Sequence, residues 1–295
     1  MKLSIITATY NRGYCLVNIY ESILRNTRFN EIEWILVDDG SDDNTKELVD
    51  MWIREKKVKI NFLKKKNGGK TSAIKMGFDS NPTGEYTFVL DSDDYLSDNA
   101  LDIILKELNV LSDKYIGILG LKSYTNGKVV GERFSLSESN YIDLYFGKKS
   151  IKSDKLFVIK TNLYKDCYEL PFENEKFLPD NIPYINANSK GLYKLINEVF
   201  YLGDYLEDGM TSNVVKMALN NINGFIYEKK RLQCEKLYII HRIMNTVKYI
   251  HYSILDKRNL KQIVSLAGDK FLTAILYLPV LLGLYFYRKK ILESI

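Results

Sequence analysis

YTFVLDSDD, residues 86–94, joins a short aromatic and β-branched run to three carboxylates within four positions. The run at 86–90 is typical of a buried strand, and Asp91, Asp93 and Asp94 follow it directly. Carboxylates crowded at the end of such a strand repel one another unless a cation or hydrogen bonds compensate. Mg²⁺ or Mn²⁺ takes carboxylates together with phosphate oxygens, so the pattern favours a metal and diphosphate site. A helix cap and turn remains the alternative.

The chain around this stretch switches repeatedly between a period of two and a period of 3.6 residues. Runs typical of strands lie at 3–9, 33–37, 59–63, 86–90 and 116–121. Helical patterns lie at 15–25, 45–55, 70–78 and 99–111. This alternation predicts an α/β fold in which a mainly parallel sheet carries helices on both faces. Ligands bind beyond the carboxyl ends of such strands, so the polar residues there are the candidate site residues.

Three further strand ends carry polar residues with related chemistry. They read TYNR at 9–12, DDGS at 38–41 and NGGK at 67–70. The carboxylate of Asp39 can accept a hydrogen bond from a nucleobase N–H. Asn67, Gly69 and Lys70 begin a predicted helix, where backbone N–H groups can contact an anion. Together with the carboxylates after residue 90, these ends favour a nucleotide diphosphate as ligand.

The sequence lacks the signature motifs of several other enzyme classes. The two glycines at 68–69 do not form a P-loop, because Lys64 stands where its earlier glycine would be. No G-x-G-x-x-G follows the first strand, which argues against a dinucleotide-binding oxidoreductase. Serine, cysteine and histidine form no nucleophile elbow, and the chain has only two histidines.

The motifs SIITATYNR, ILVDDGSDDNT, NGGKTSA and VLDSDD, in this order and spacing, resemble the inverting GT-A-fold glycosyltransferases of the family-2 type. The resemblance covers about residues 1–215 and includes EKFLPDN and YLEDGMTSN, which look like acceptor-side motifs of bacterial capsule and wall-polysaccharide members. It implies a nucleotide-diphosphate sugar donor, with a UDP-sugar as the expected one. It further implies a divalent metal, Mn²⁺ or Mg²⁺, inversion at the anomeric carbon and a saccharide acceptor, which we expect to be lipid-linked.

Carried over position by position, the resemblance assigns roles to residues of this chain. Asp39 would meet the base, Asp91 and Ser92 the ribose side, and Asp93 the metal. With the anion contact added, the donor-binding residues are Thr7, Ala8, Thr9, Tyr10, Asp39, Asn67, Gly69, Lys70, Asp91 and Ser92.

The resemblance also implies an acid that takes the proton from the acceptor hydroxyl. Asp180 is the candidate for this catalytic base, since it follows Pro179 about ninety residues beyond the metal carboxylate. Glu173 and Glu175 are close rivals. Asp208 is a weaker candidate for the metal or diphosphate side.

Two alternatives come from other classes. A nucleotidyltransferase also uses clustered carboxylates beside a diphosphate, although residues 7–12 contain no glycine for its phosphate loop. A non-catalytic module that binds sugar nucleotides or membranes would keep the fold and lose the base.

Composition is that of a globular protein of one large or two smaller domains: 295 residues, 46% hydrophobic and 27% charged. Three dispersed cysteines and a short apolar N-terminus predict a reducing, cytosolic setting without a secretory signal. We expect a glycosyltransferase domain at 1–215, with a donor half at 1–125 and an acceptor half at 126–215. A helical region is expected at 216–295.

The C-terminal part is basic. Residues 229–295 contain 13 Lys and Arg against 4 Asp and Glu, whereas residues 1–228 contain 29 against 33. Such asymmetry predicts an anionic partner for the tail, either membrane lipid or nucleic acid. Nucleic acid is not expected, because the basic residues flank an apolar segment.

That segment, FLTAILYLPVLLGLYFY at 271–287, is 17 residues long without a charge. As a helix it would reach roughly 25 Å, short of a ~30 Å hydrocarbon core, and Pro279 would kink it. Upstream, apolar residues recur at helical spacing through 237–254. We therefore expect peripheral attachment to anionic lipid on the cytoplasmic face of the plasma membrane. Packing of both segments on the catalytic body is the alternative.

Overall fold

A computed structural model describes residues 1–204 and 214–292 of the chain, with side chains through residue 285. It contains two compact units. The first consists of Met1–Tyr141 and Ile151–Asn213, and the second of Ile142–Ser150 and Val214–Ile295. All the strands of the described chain lie in the first unit.

The first unit is built on one sheet. Its strands are β1 (Leu3–Thr9), β2 (Ile32–Asp38), β3 (Ile60–Lys64), β4 (Tyr86–Val89), β5 (Tyr95–Leu96), β6 (Tyr115–Ser123), β7 (Glu138–Ser139), β8 (Lys155–Lys160) and β9 (Leu192–Leu202). They are ordered β3-β2-β1-β4-β8-β6-β9-β5, and β7 pairs with β9. The five strands predicted from the sequence are confirmed as β1, β2, β3, β4 and β6, with bounds that differ by at most two residues.

The sheet is mixed, with a parallel half as predicted. Strands β1 to β4 run parallel to one another, and β8 is antiparallel to both β4 and β6. Consequently β6, and β9 parallel to it, point the same way as β4. The carboxyl ends of β1, β2 and β3 are in register, since Thr9 pairs with Asp38 and Asp38 pairs with Lys64. This register gathers the polar strand ends along one edge.

Helices complete both units. They are α1 (Gly13–Arg25), α2 (Thr45–Glu55), α3 (Lys70–Asp79), α4 (Ala100–Asn109), α5 (Tyr141–Phe146), α6 (Thr161–Cys167), α7 (Ile182–Ala187), α8 (Val214–Asn220), α9 (Ile222–Gln233), α10 (Ile239–Leu255), α11 (Leu260–Leu266) and α12 (Lys270–Leu292). The four helices predicted between the strands are confirmed as α1 to α4.

Helices pack on both faces of the sheet, as predicted. Neighbouring residues of a strand face opposite sides. On β1, Ile5 packs into one core cluster with residues of α1, α2 and α4. Ile6 faces α3, where a Cβ on Gly77 would lie 2.7 Å from the Ile6 Cγ2 atom. A glycine at this position therefore allows α3, which carries Lys70 at its start, to approach the sheet closely.

The second unit is helical, with a core of Ile226, Tyr249, Ile250, Ile263 and Ala267. Buried Gln233 ties its helices together: its amide nitrogen donates to the hydroxyls of Thr246 and Thr273, and its oxygen accepts from the Gly268 N–H. The apolar segment 271–287 belongs to α12, which contains Pro279. Among the helices described, none is sufficiently long and apolar to cross a membrane.

Candidate active site

The carboxyl-end edge of the sheet brings together the acids and lysines that the sequence singled out. They come from the ends of β2 and β4, from the start of α3, and from the loop before α7. The last of these is distant in sequence, so its placement is a result of the fold alone.

Asp39 follows β2 and is 3% exposed. One of its oxygens accepts hydrogen bonds from the Gly68 N–H (3.0 Å) and the Lys65 ammonium (2.8 Å), and the other accepts from the Gly69 N–H (2.7 Å). The carboxylate thus shapes the glycine loop before α3. A carboxylate accepts up to about four hydrogen bonds, and Asp39 already accepts three. A nucleobase N–H would therefore have to donate to an oxygen that already accepts a hydrogen bond from the protein.

The glycine loop is joined to the segment that carries Asp180. Gly69 has φ +91°, and a Cβ there would lie 2.0 Å from the carbonyl oxygen of Lys176. The Lys176 ammonium donates to the Asn67 side chain (2.8 Å). The Leu178 N–H donates to the Thr71 hydroxyl (3.0 Å). These contacts hold the 176–180 segment against the start of α3.

We expect Gly69→Ala to destabilise the first unit by more than about 2 kcal/mol, because a left-handed backbone and a clash with a carbonyl act together. Gly127→Ala is the matched control, since Gly127 has φ +84° but, among the described residues other than its chain neighbours, none has an atom within 4 Å of the position that a methyl group would take. The control should lose only about 1 kcal/mol. Urea unfolding of both variants checks this, and equal losses would contradict the role of the close approach.

Lys70 lies between two carboxylates. Its ammonium is 2.8 Å from Asp180 Oδ2 and 2.9 Å from Asp91 Oδ1. Withdrawal from water favours neutral Lys70, but the two carboxylates outweigh it and hold the pKa of Lys70 well above its ordinary value. Lys70 therefore stays charged and links the end of β4 to the predicted base.

The pKa values of Asp180 and Asp91 shift in opposite directions. Withdrawal from water raises the pKa of Asp180, and nearby Asp91 adds to this, so that the pKa stays above its ordinary value despite Lys70. Withdrawal from water also acts on Asp91, but Lys70 outweighs it and lowers the pKa of Asp91. A carboxylate whose pKa is raised and whose side chain remains about half exposed, as that of Asp180 does, has the properties of a general base.

The remaining carboxylates after β4 also have cationic partners. Asp93 Oδ2 accepts a hydrogen bond from Arg12 Nη1 at 2.9 Å. Buried Asp94 is 3.0 Å from the Lys122 ammonium. Burial raises the pKa of Asp94 to about 7, although Lys122 opposes the shift. The Asp94 carboxylate leaves no room for a side chain at Gly203, where a Cβ would lie 1.7 Å from Oδ1.

The carboxylates at this edge of the sheet suit a divalent ion only when oxygen atoms of a bound ligand complete its coordination. Within the described part of the chain, no three His, Cys, Asp or Glu side chains are grouped to hold a metal by themselves. Asp93 keeps 26% of its side chain exposed at the carboxyl-end edge of the sheet and offers a hard carboxylate oxygen. That donor type fits Mg²⁺ or Mn²⁺, which commonly use one or two carboxylates plus substrate phosphates.

The β1 residues predicted for donor binding differ in accessibility. Thr7 is fully buried, and its hydroxyl accepts a hydrogen bond from Trp34, so its side chain can shape a pocket only indirectly. Thr9 has a buried hydroxyl for which the described residues provide no hydrogen-bond partner. Ala8 is half-buried, Tyr10 is 46% exposed and Ser92 is 8% exposed.

Among the rival bases, Glu173 is exposed and Glu175 is half-buried on the loop before Asp180. Asp208, with the whole YLEDGMTSN motif, lies outside the described residues. Sequence reasoning assigned no role to Arg12 or Lys122. Arg12 follows β1 within the TYNR motif, which is a usable signal, whereas Lys122 carries no motif.

Comparison with known proteins gives a consistent family. Residues 4–166 match the model described as "Glycosyl transferase family 2". The glycosyltransferase GlyG of Streptococcus pneumoniae is 36% identical over 218 residues, which cover 69% of each chain. The poly(ribitol-phosphate) β-N-acetylglucosaminyltransferase TarP of Staphylococcus aureus is 28% identical over 241 residues, 77% of this chain and 72% of TarP.

Solved structures share the fold. S. aureus TarS 1–349 in complex with UDP-GlcNAc superposes with a TM-score of 0.64 at 19% identity, covering 93% of this chain and 82% of that chain. The mannosyltransferase PcManGT from Pyrobaculum calidifontis, in complex with GDP-Man and Mn²⁺, gives 0.57 at 16% identity, covering 98% and 82%.

Proposed function

The chain belongs to glycosyl transferase family 2 and has a GT-A-like fold, and from this premise we propose that it is a metal-dependent inverting hexosyltransferase. It moves a sugar from a nucleotide-diphosphate sugar, a UDP-sugar, to a saccharide acceptor in bacterial surface polysaccharide synthesis. The names of the relatives support the substrate classes: TarS is complexed with UDP-GlcNAc, and TarP acts on poly(ribitol-phosphate). The family decides against a nucleotidyltransferase and a non-catalytic module.

One observation carries this proposal: Lys70 contacts both Asp180 and Asp91. It brings an acid with a raised pKa to the strand end whose residues would meet the donor. In the proposed reaction, the acceptor oxygen forms a bond to the anomeric carbon while the bond to the diphosphate breaks, and Asp180 takes the hydroxyl proton. The positive charge of the Lys70 ammonium stabilises the negatively charged diphosphate.

Asp93 is the proposed metal ligand of this site. A divalent ion bound there supplies positive charge for the leaving diphosphate. Its binding would use the exposed edge of the Asp93 carboxylate together with donor phosphate oxygens. Mn²⁺ in the PcManGT complex supports the choice of ion class.

A panel of UDP- and GDP-sugars tests the proposed function. With Mn²⁺ and a saccharide acceptor, we expect one UDP-sugar to yield UDP without pyrophosphate. Donor hydrolysis in the same panel identifies the sugar when the acceptor is missing. Release of pyrophosphate, or no turnover of any donor with several wall-type saccharides, would contradict the proposal.

The second unit supports attachment to a membrane surface. On α12, Leu276, Tyr277 and Val280 pack on the unit's core. Another face carries the exposed side chains of Phe271, Ile275, Leu278, Leu282 and Tyr285, which we call the apolar stripe. Its spacing of four and three residues follows one side of a helix. One face of α12 packs on the unit's core and another is exposed. A helix that lies in the plane of the membrane with the apolar stripe toward lipid therefore fits the proposal better than full insertion.

Basic residues flank the stripe at Lys270 and, in sequence, at 288–290. Each is worth roughly 1 kcal/mol near an anionic surface, and buried apolar side chains add to this. We propose that the enzyme binds the cytoplasmic face of the plasma membrane peripherally, where a lipid-linked acceptor is within reach.

Replacing Ile275 and Leu278 together by Glu should lower the fraction bound to anionic vesicles at least about tenfold, because a charge withdrawn from water costs well over 1.4 kcal/mol. The matched control is the double replacement of Val110 and Leu136 by Glu, since both are exposed apolar residues of the first unit. Vesicle flotation is the measurement. Equal flotation of the two variants, or none of the wild type, would refute attachment through the stripe.

A further inference from the structure

Arg12 occupies a fixed position beside the proposed metal ligand. The preceding residue, Asn11, has φ +52°, its N–H donates to the Ser41 hydroxyl, and its side-chain oxygen accepts from the Asp42 N–H. The N–H of the following residue, Gly13, donates to Asp43. The backbone around Arg12 is therefore held by the loop after β2, whatever the Arg12 side chain contacts.

The Arg12 side chain reaches the carboxylate that the metal would need. Arg12 Nη1 lies 2.9 Å from Asp93 Oδ2, and the two side chains are 18% and 26% exposed. A guanidinium remains protonated at any working pH, so Arg12 does not release Asp93 by losing its own proton. Release requires a competing cation or an anion that attracts the guanidinium more strongly.

A diphosphate is such an anion. Arginine pairs with phosphate oxygens in a two-pronged geometry, often more favourably than with a single carboxylate oxygen. The donor's diphosphate is expected beside Lys70 and the proposed metal ligand Asp93, at the same edge of the sheet. Arg12 can thus exchange one partner for the other without a change in its backbone.

We infer that Arg12 couples metal binding to donor binding: it neutralises Asp93 in the donor-free enzyme, and the donor's diphosphate draws it away so that Asp93 becomes available to a divalent ion. This inference rests on the metal role proposed for Asp93. Coupling between two ligands is reciprocal, so the metal strengthens donor binding by the same factor. The free enzyme consequently binds metal weakly.

Mn²⁺ titration followed by EPR of the free aquo ion tests the coupling. Wild type, Arg12→Gln, Asp93→Asn and the control Arg25→Gln are titrated without and with saturating UDP, after subtraction of Mn²⁺ bound by UDP alone. Arg25 pairs with Asp98 on the surface, so its variant changes net charge equally. Circular dichroism establishes that each variant is folded.

In wild type, we expect UDP to strengthen Mn²⁺ binding at least about tenfold, within the usual range of such couplings. Arg12→Gln should bind Mn²⁺ without UDP at least about tenfold more tightly than wild type, with a coupling factor at least about threefold smaller. Arg25→Gln should behave like wild type. Asp93→Asn should lose the bound ion in both states.

Donor-free Mn²⁺ affinity of Arg12→Gln that equals or falls below that of wild type would overturn the inference while leaving the metal proposal intact. No Mn²⁺ binding by wild type with UDP would overturn the metal proposal itself. If Arg12→Gln does not fold, Arg12→Lys replaces it, since its shorter reach should still tighten donor-free binding at least about threefold. An unchanged affinity of that variant would overturn the inference equally.

Discussion

Asp180→Asn is expected to lower kcat for sugar transfer about a thousandfold while donor affinity changes no more than a few fold. An amide cannot take the acceptor proton, and general bases typically contribute 10²- to 10⁴-fold. Asparagine keeps the volume and still accepts a hydrogen bond from Lys70, so the loop should remain in place. The measurement is steady-state transfer with separate titration of UDP binding.

Two conservative variants are the controls for that result. Glu173→Gln and Glu175→Gln should retain activity within a few fold of wild type, since Asp180 is the acid of this loop that contacts Lys70. The wild-type rate should also fall as pH drops through the raised pKa of Asp180, because protonation removes the base. An active Asp180→Asn together with an inactive Glu175→Gln would reassign the base.

Asp93→Ala is expected to remove metal-dependent turnover, with a loss of at least about a hundredfold. A metal that neutralises a leaving diphosphate supplies several kcal/mol, and each 1.36 kcal/mol is tenfold in rate. Folding should survive, because Asp93 keeps 26% of its side chain exposed and lies outside the hydrophobic core cluster of the sheet.

The matched control for that variant is Asp98→Ala. Asp98 is an exposed aspartate that pairs with Arg25, so it removes the same charge from the surface. Its activity should equal that of wild type with Mn²⁺ and fall equally with EDTA. Near wild-type activity of Asp93→Ala, or full wild-type activity in EDTA, would contradict the metal role.

Local pattern was sufficient for the first half of the fold. Strands β1 to β4 and helices α1 to α4 are each specified by their own period, and the parallel pairing of β1 with β2 and of β2 with β3 follows from the helix that connects each pair. Strand β8 was not predicted, since it enters between β4 and β6 from residues 155–160 and pairs antiparallel with both. Such a pairing depends on contacts between distant segments, which no window of sequence contains.

In the candidate site, too, the sequence predicts local features but not the contacts between distant segments. The sequence identified the acids after β4, but the cations that neutralise them come from elsewhere: Arg12 from the end of β1, Lys70 from α3 and Lys122 from β6. The contact between Lys70 and Asp180 joins residues 110 positions apart. The buried placement of Thr7 also depends on a distant partner, the indole of Trp34. Motif spacing therefore indicates which charged residues gather at the strand ends but not which partners neutralise them.

The stereochemistry of the product tests the central claim most directly. Proton NMR of the sugar newly attached from an α-linked UDP-sugar reports the anomeric configuration through its H1–H2 coupling. Direct displacement assisted by Asp180 predicts a β-linked product from the first turnovers onward. An α-linked product would show retention and would contradict the single-displacement account built on Asp180 and Lys70.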